Sequence, residues 1–72
     1  MATPMFPVQS SNLSYIGYDE DTQTLYVTFH NGSTYKYSNV PKEKFEDFKT
    51  TTSIGKYYLV NIKGEYVSTK VN

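Results

Sequence analysis

Apolar and polar residues alternate most regularly in TLYVTFH, residues 24–30. Leu25, Val27 and Phe29 fall on one side and Tyr26, Thr28 and His30 on the other, the two-residue period of a half-buried strand. Upstream, LSYIGYD (13–19) is rich in aromatic and β-branched residues and predicts another strand, with Gly17 marking a close approach or a bulge. DEDTQ between them is a polar turn. Asn31-Gly32 is the strongest hairpin signal in the chain, and STYKYSN after it completes an antiparallel meander. Pro4 and Pro7 make residues 1–9 an extended or irregular arm.

Beyond Val40 the period changes. Pro41 suits the first position of a helix, Glu43 its first turn, and Phe45 and Phe48 form a short apolar stripe that must land on the sheet. The β-branched TTTS ends that helix. SIGKYYLVNIKGEY predicts a second short helix capped by Ser53, with Tyr58 and Ile62 on one side, and EYVSTKV alternates as a fourth strand would. The expected fold is α+β: a three- to four-stranded antiparallel meander with one or two short helices packed on one face, in a single domain over residues 1–72.

Two hairpin registers are open, and they give the tyrosines different surroundings. A two-residue Asn31-Gly32 turn pairs Thr28 with Tyr35 and sets Tyr26, Tyr35 and Tyr37 on a platform away from the helices. A three-residue loop closed by Gly32 pairs Val27 with Tyr35, sends Tyr35 and Tyr37 into the core and turns Lys36 outward. Burying aromatic rings is favourable and burying Lys36 is costly, which supports the second register wherever helices cover that face. In either register the uncovered face carries Tyr26 and His30, an aromatic surface suited to assembly or to a ligand.

Composition narrows the chemistry. The 72 residues include eight tyrosines, four phenylalanines and no tryptophan. A domain this small buries only about 60% of its unfolded surface, so it needs a supplement to its core. No cysteine is present to form disulfides, which fits a reducing cytoplasm, and one histidine without thiols leaves too few good ligands for a zinc staple. Self-association remains. MATPMFPVQ has neither the basic start nor the apolar run of a signal peptide, and no stretch approaches a membrane span, so a soluble, cytoplasmic protein is expected.

Seven basic residues balance seven acidic ones. Proteins that grip long nucleic acids gain affinity from an overall basic field; a neutral chain favours a compact anion met by a few local donors. Asp19, Glu20 and Asp21 lack the spacing of a calcium loop, and His30 has no nucleophile in a recognised arrangement, so no catalytic or metal site is expected. Ser53-Ile54-Gly55-Lys56 offers a hydroxyl, a glycine that lets backbone approach, and a cation, beside the plainer reading of a helix cap with a surface lysine. Ser11 and Asn12 in QSSN supply a hydroxyl and an amide, though such residues also serve turns.

SSNL…IGYD, LYVTFHNGSTYKYSNVP and SIGKYYLVNIKGEY occur in this order, and with them the chain resembles the KTSC domain family over about residues 8–66. The family's Tyr-x-Tyr stands here as Tyr35-Lys36-Tyr37 and its Ser-x-Gly-x-Tyr as Ser53-Ile54-Gly55-Lys56-Tyr57. The family takes its name from the end of some lysyl-tRNA synthetases and includes stand-alone bacterial and phage proteins. The resemblance implies a role near nucleotides, RNA binding being the usual suggestion. Stand-alone members of this size are similar to phage sponges that sequester cyclic nucleotide immune signals, the anti-CBASS proteins. The leading expectation is a non-enzymatic protein that captures a cyclic dinucleotide such as cGAMP at a subunit interface of a dimer or tetramer. An RNA-binding module is the alternative, and a structural or protein-interaction domain the third. Candidate ligand residues are Ser11, Asn12, Tyr26, Tyr35, Lys36, Tyr37, Ser53, Gly55, Lys56 and Tyr57. No cofactor and no membrane partner are expected.

Overall fold

Two local irregularities decide which side chains face the helices. The computed structural model describes residues 3–71. Its sheet has five antiparallel strands in chain order: β1 (Met5–Pro7), β2 (Leu13–Asp19), β3 (Thr24–Phe29), β4 (Thr34–Tyr37) and β5 (Ser68–Lys70). This is one or two more strands than the alternation of the sequence suggests. The extra strand is β1, within the proline-bearing arm, and a three-residue strand carries no periodic signal of its own.

The first irregularity lies in β2. Leu13 pairs with Phe29 but Tyr15 with Thr28, so Ser14 is an inserted residue. Its hydroxyl donates to the carbonyls of Thr28 and Phe29 at 3.3 and 3.4 Å. The insertion shifts the alternation, so that Leu13, Ile16 and Tyr18, all buried, share one face despite their uneven spacing. The second is the hairpin. The Phe29 amide bonds the Ser33 carbonyl at 2.8 Å and Val27 pairs with Tyr35, leaving His30, Asn31 and Gly32 as a three-residue loop. Gly32 has φ +92°, the left-handed backbone that closes such loops. The bulged register therefore holds. Tyr37 is 4% exposed, Tyr35 packs partly buried against the core, and Lys36 faces the opposite side beside Tyr26. His30 does not lie on that open face: it sits in the loop, and its Nε2 donates to the Ser10 carbonyl at 2.7 Å.

The helical layer covers one face only. α1 (Lys42–Thr50) begins one residue after Pro41, presents Phe45 and Phe48 to the sheet, and ends where Thr51 turns extended. Tyr18 stacks on Phe45 with centroids 5.1 Å apart and donates its hydroxyl to the Val40 carbonyl, which ties α1 to β2. α2 (Ile54–Tyr57) runs directly into a single π-helical turn, Tyr58–Ile62, closed by the Lys63 amide on the Tyr58 carbonyl at 2.8 Å. Ser53 stands at the cap position but makes no side-chain capping bond, contrary to expectation. Ile54, Tyr58 and Ile62 recur every fourth residue and are all buried. No helix among the described residues is long and apolar enough to cross a membrane.

Gly17 fixes β1 in place. A Cβ there would stand 2.5 Å from Met5 Sδ and 2.6 Å from the Pro4 carbonyl oxygen. The methionine can swing aside, but the carbonyl is backbone and moves only if β1 moves. Gly17→Ala is expected to cost about 1–3 kcal/mol, the usual penalty of overpacking. Urea denaturation measures the loss. Hydrogen exchange should show the Val8 amide, bonded to the Ser14 carbonyl at 3.0 Å, losing protection before the β2–β3 ladder does.

Candidate functional site: an aromatic cleft between sheet and helix

Where β4 and β5 run out from under the helical layer, a cleft of about 510 Å3 opens. Phe29, Tyr35, Tyr37, Tyr58 and Leu59 supply its apolar surface, and Asn12, Asn31, Lys63, Gly64 and Ser68 its polar rim. The rings form a connected set. Phe29 meets Tyr35 edge-on at 5.7 Å and Tyr58 at 5.4 Å, and Tyr58 meets Tyr37 at 6.1 Å. The Tyr37 and Tyr58 hydroxyls are 2.6 Å apart, a buried hydrogen bond joining sheet to π turn. A type II turn follows, with Lys63 at φ −63°, ψ 123°, Gly64 at φ +81° and the Glu65 amide on the Ile62 carbonyl at 3.1 Å. That turn carries Lys63 to the rim.

The rim is rich in donors. Asn31 Oδ1 accepts from the Ser33 amide at 2.9 Å, and Asn12 Oδ1 from the Ser11 hydroxyl at 3.2 Å. With both oxygens engaged, each asparagine has its amide NH2 left to donate. Lys42 pairs with Glu20, Lys49 with Glu46, and Lys44 donates to Asn61, whereas Lys63 forms no ion pair among the described residues. No carboxylate lines the cleft. The contrast is a hollow of about 660 Å3 bounded by Asp19, Glu20 and Asp21, whose charge repels anions; among the described residues no group of acidic, histidine or cysteine side chains is placed to hold a metal. Although it is the smaller, the aromatic cleft is the one with chemistry for an anion.

Eight of the ten sequence candidates divide among three places. Asn12, Tyr35 and Tyr37 line the cleft. Ser53, Lys56 and Tyr57 border a separate groove of about 210 Å3 beside Val60 and Asn61. There Tyr57 stacks on Phe48 at 5.4 Å. Gly55 lies against Ser10, whose hydroxyl would be 3.3 Å from an added Cβ, so its small size lets the N-terminal loop pack on α2. Ser11 is exposed and bonds Asn12. Tyr26 and Lys36 are cross-strand neighbours on the opposite face of the sheet, away from the cleft. Sequence reasoning missed Phe29, Asn31, Tyr58, Leu59, Lys63, Gly64 and Ser68. Tyr58 and the Lys63-Gly64 turn carried a usable signal, an aromatic in the helical stripe followed by a cation at a glycine turn.

Comparison with known proteins agrees with this architecture. The profile of the KTSC domain matches residues 9–66. The chain belongs to the KTSC domain family. A crystal structure of a KTSC domain protein from Yersinia pestis superposes with a TM-score of 0.93 at 35% identity, covering 99% of this chain and all of that one. A protein of Tsukamurella paurometabola is 42% identical over 53 residues, 74% of this chain and 79% of its own length. A lysine–tRNA ligase of Nostoc punctiforme is 33% identical over 66 residues, 92% of this chain. The KTSC chain spans only 12% of that ligase's length. Both edge strands, β1 and β5, lie outside the profile's span.

The phenol pair has a measurable signature. Burial first, then the bond to Tyr58, pushes the Tyr37 phenol well above its ordinary value of 10.0. Burial also raises Tyr18 and Tyr57 from the same value, the nearby Glu20 and Asp47 carboxylates adding to it. An unfolded chain releases these protons near pH 10 while the folded chain keeps them. Stability is therefore full below that pH and falls as pH climbs toward the raised folded values. Urea midpoints should be flat up to about pH 10 and then decline. Tyr37→Phe should cost about 1 kcal/mol at neutral pH and make the alkaline decline shallower. Adding Tyr58→Phe to it should cost little more, because both changes remove one bond.

Proposed function

We propose that this KTSC domain is a non-catalytic binding module for a small nucleotide, with the base laid against the rings of the cleft and the phosphate at its rim. The observation that carries the reading is the pairing of a connected aromatic wall with donors only: two asparagine amides, a serine hydroxyl and an unpaired lysine, with no carboxylate among the lining residues. A nucleotide has the complementary character. Its base is flat, its ring nitrogens and carbonyls accept, and its phosphates are anionic. Stacking of one base on a tyrosine contributes about 1–3 kcal/mol and is indifferent to base identity, so the amides and Lys63 supply the selectivity.

Overall neutrality narrows the class further. With seven positive and seven negative side chains there is no broad field to hold a polymer, and a compact ligand needs only the local donors. The cleft is large enough for a dinucleotide yet open on one side. A cyclic dinucleotide covered from the open side by a second copy fits this geometry best, and capture without turnover makes the protein a sponge for cyclic nucleotide immune signals. A second reading, a single-stranded RNA end, is favoured by one specific observation: a sequence like this chain forms part of a lysine–tRNA ligase.

Thermal melts against cyclic di-AMP, cyclic di-GMP, cGAMP, mononucleotides and short RNAs separate the readings. A ligand at a hundred times its Kd adds about 2.7 kcal/mol, roughly 10–20 °C in a domain of this size. The expected result is such a shift with a cyclic dinucleotide and little dependence on salt. A shift confined to RNA, falling steeply as salt rises, sinks the sponge in favour of the second reading. Tyr35→Ala should weaken binding about 5- to 150-fold, the value of one stacked base. Lys63→Ala should weaken it while the melting temperature of the free protein stays unchanged.

A further inference from the structure

We infer that β5 is a dimerisation strand, pairing antiparallel with β5 of a second copy about a two-fold axis at Thr69, so that each copy places Lys70 beside the other's cleft. The two edges of the sheet differ. Along β1 the residues turned away from β2 are Met5 and Pro7, because the Val8 amide bonds inward to Ser14. Pro7 has no N–H, so that edge is closed to another strand. Along β5 the Val67 carbonyl and the Val71 amide bond β4, to Ser38 and Thr34. By alternation Thr69 also faces β4, and the N–H and C=O of Ser68 and Lys70 point away from the sheet. Ser68, Thr69 and Lys70 are all exposed.

The strand's own sequence selects the partner and the register. With the axis at Thr69, Ser68 lies opposite the partner's Lys70 and Lys70 opposite the partner's Ser68. Their four outward groups on each side then meet as two hydrogen-bonded pairs. Val67 lies opposite the partner's Val71 on the open face, which covers two of the most exposed apolar side chains of the sheet, 74% and 47% exposed. An axis at Lys70 sets two ammonium groups against each other, and one at Ser68 leaves Val71 opposite Glu65. Only the Thr69 axis pairs valine with valine and keeps the lysines apart. The product is a continuous ten-stranded sheet.

This dimer also completes the cleft. Ser68 lines it, and the side chains of Ser68 and Lys70 point to the helix side of the sheet, opposite Tyr37 and Tyr35. The partner's Lys70, about 5.5 Å from Ser68 between Cα atoms in such a pair, adds a second cation across the opening from Lys63. Two phosphates related by the axis would thus meet one lysine from each chain. This shared site rests on the nucleotide reading; the strand pairing does not.

The native chain has no cysteine, so cross-linking is clean. Across the axis the two Thr69 residues form a non-hydrogen-bonded pair with Cα atoms about 4.5 Å apart, within disulfide reach. Thr69→Cys should oxidise to a covalent dimer, and Lys70→Cys should not. Light scattering on the unmodified protein without ligand should show a dimer. Ser68→Pro, which removes an outward N–H and leaves the β4 ladder intact, should be a folded monomer by circular dichroism. A monomer at every concentration, a dimer that persists in Ser68→Pro, or efficient cross-linking through Lys70→Cys overturns the pairing. For the shared site, Lys70→Ala should weaken binding of the cyclic dinucleotide probe about tenfold in the dimer, whereas added to Ser68→Pro, whose own binding is already lowered by loss of the Ser68 hydroxyl and of the partner's lysine, it should weaken binding no further. Equal weakening in both means the lysine acts within its own chain. Absence of any nucleotide binding by an intact dimer sinks the proposed function and leaves the interface standing.

Discussion

Strand parity governs everything else in this domain. Because side chains alternate across a sheet, a one-residue change in the β3–β4 loop would exchange Tyr35 and Tyr37 for Thr34 and Lys36 on the face under the helices. Those helices supply Tyr58 and Leu59 as the other wall of the cleft, so the exchange would bury an ammonium and abolish the aromatic set together. The three-residue loop at Gly32 and the inserted Ser14 act in concert: each sets the phase of its strand, and the shared core of Leu13, Ile16, Val27 and Tyr37 exists only when both are right. The cleft is thus a by-product of register, present because the core is.

The same parity explains the domain's one-sidedness. A single helical layer can cover one face of five strands, so the other keeps Tyr15 at 45% exposure and leaves Tyr26 and Lys36 without a covering element. The π turn at Tyr58–Ile62 belongs to this economy of size. An ordinary helical turn bonds four residues back, whereas here the Lys63 amide reaches Tyr58 five residues back, and the widened turn ends the helix with Tyr58 bonded to Tyr37 and Ile62 fully buried. One turn of helix both closes the core and supplies a wall of the site.

Much of this was legible in the residues. β2 matched its predicted span, and β3 ended one residue early, at Phe29, because His30 was drawn into the loop and onto the Ser10 carbonyl. Phe45 and Phe48 landed on the sheet as their spacing implied. The number of strands was less legible, since β1 and β5 are three residues each, too short for a period to show. The site was half legible for a physical reason. Tyr35 and Tyr37 belong to a motif, but their neighbours Tyr58, Lys63 and Ser68 lie 21 to 33 residues further along the chain, and their approach depends on tertiary packing. Lys36, between two cleft residues in sequence, and its cross-strand neighbour Tyr26 fall on the wrong face for the same alternation that puts Tyr35 and Tyr37 on the right one.

Neutrality and smallness then act on function through a single channel. A chain without net charge cannot draw an anion from a distance, so the proposed recognition would depend on donors already fixed at contact range. In this fold the backbone that carries those donors is tied down: Asn31 by the hairpin loop, Asn12 by its bonds to Ser11 and to the His30 amide, Lys63 by the turn after the π helix. Rigidity of so many short loops demands a well-packed core beneath them, and the rings that fill that core are the ones a bound base would touch. Under the proposed reading, stability and recognition would draw on the same tyrosines, and a substitution that loosens one would degrade the other in step.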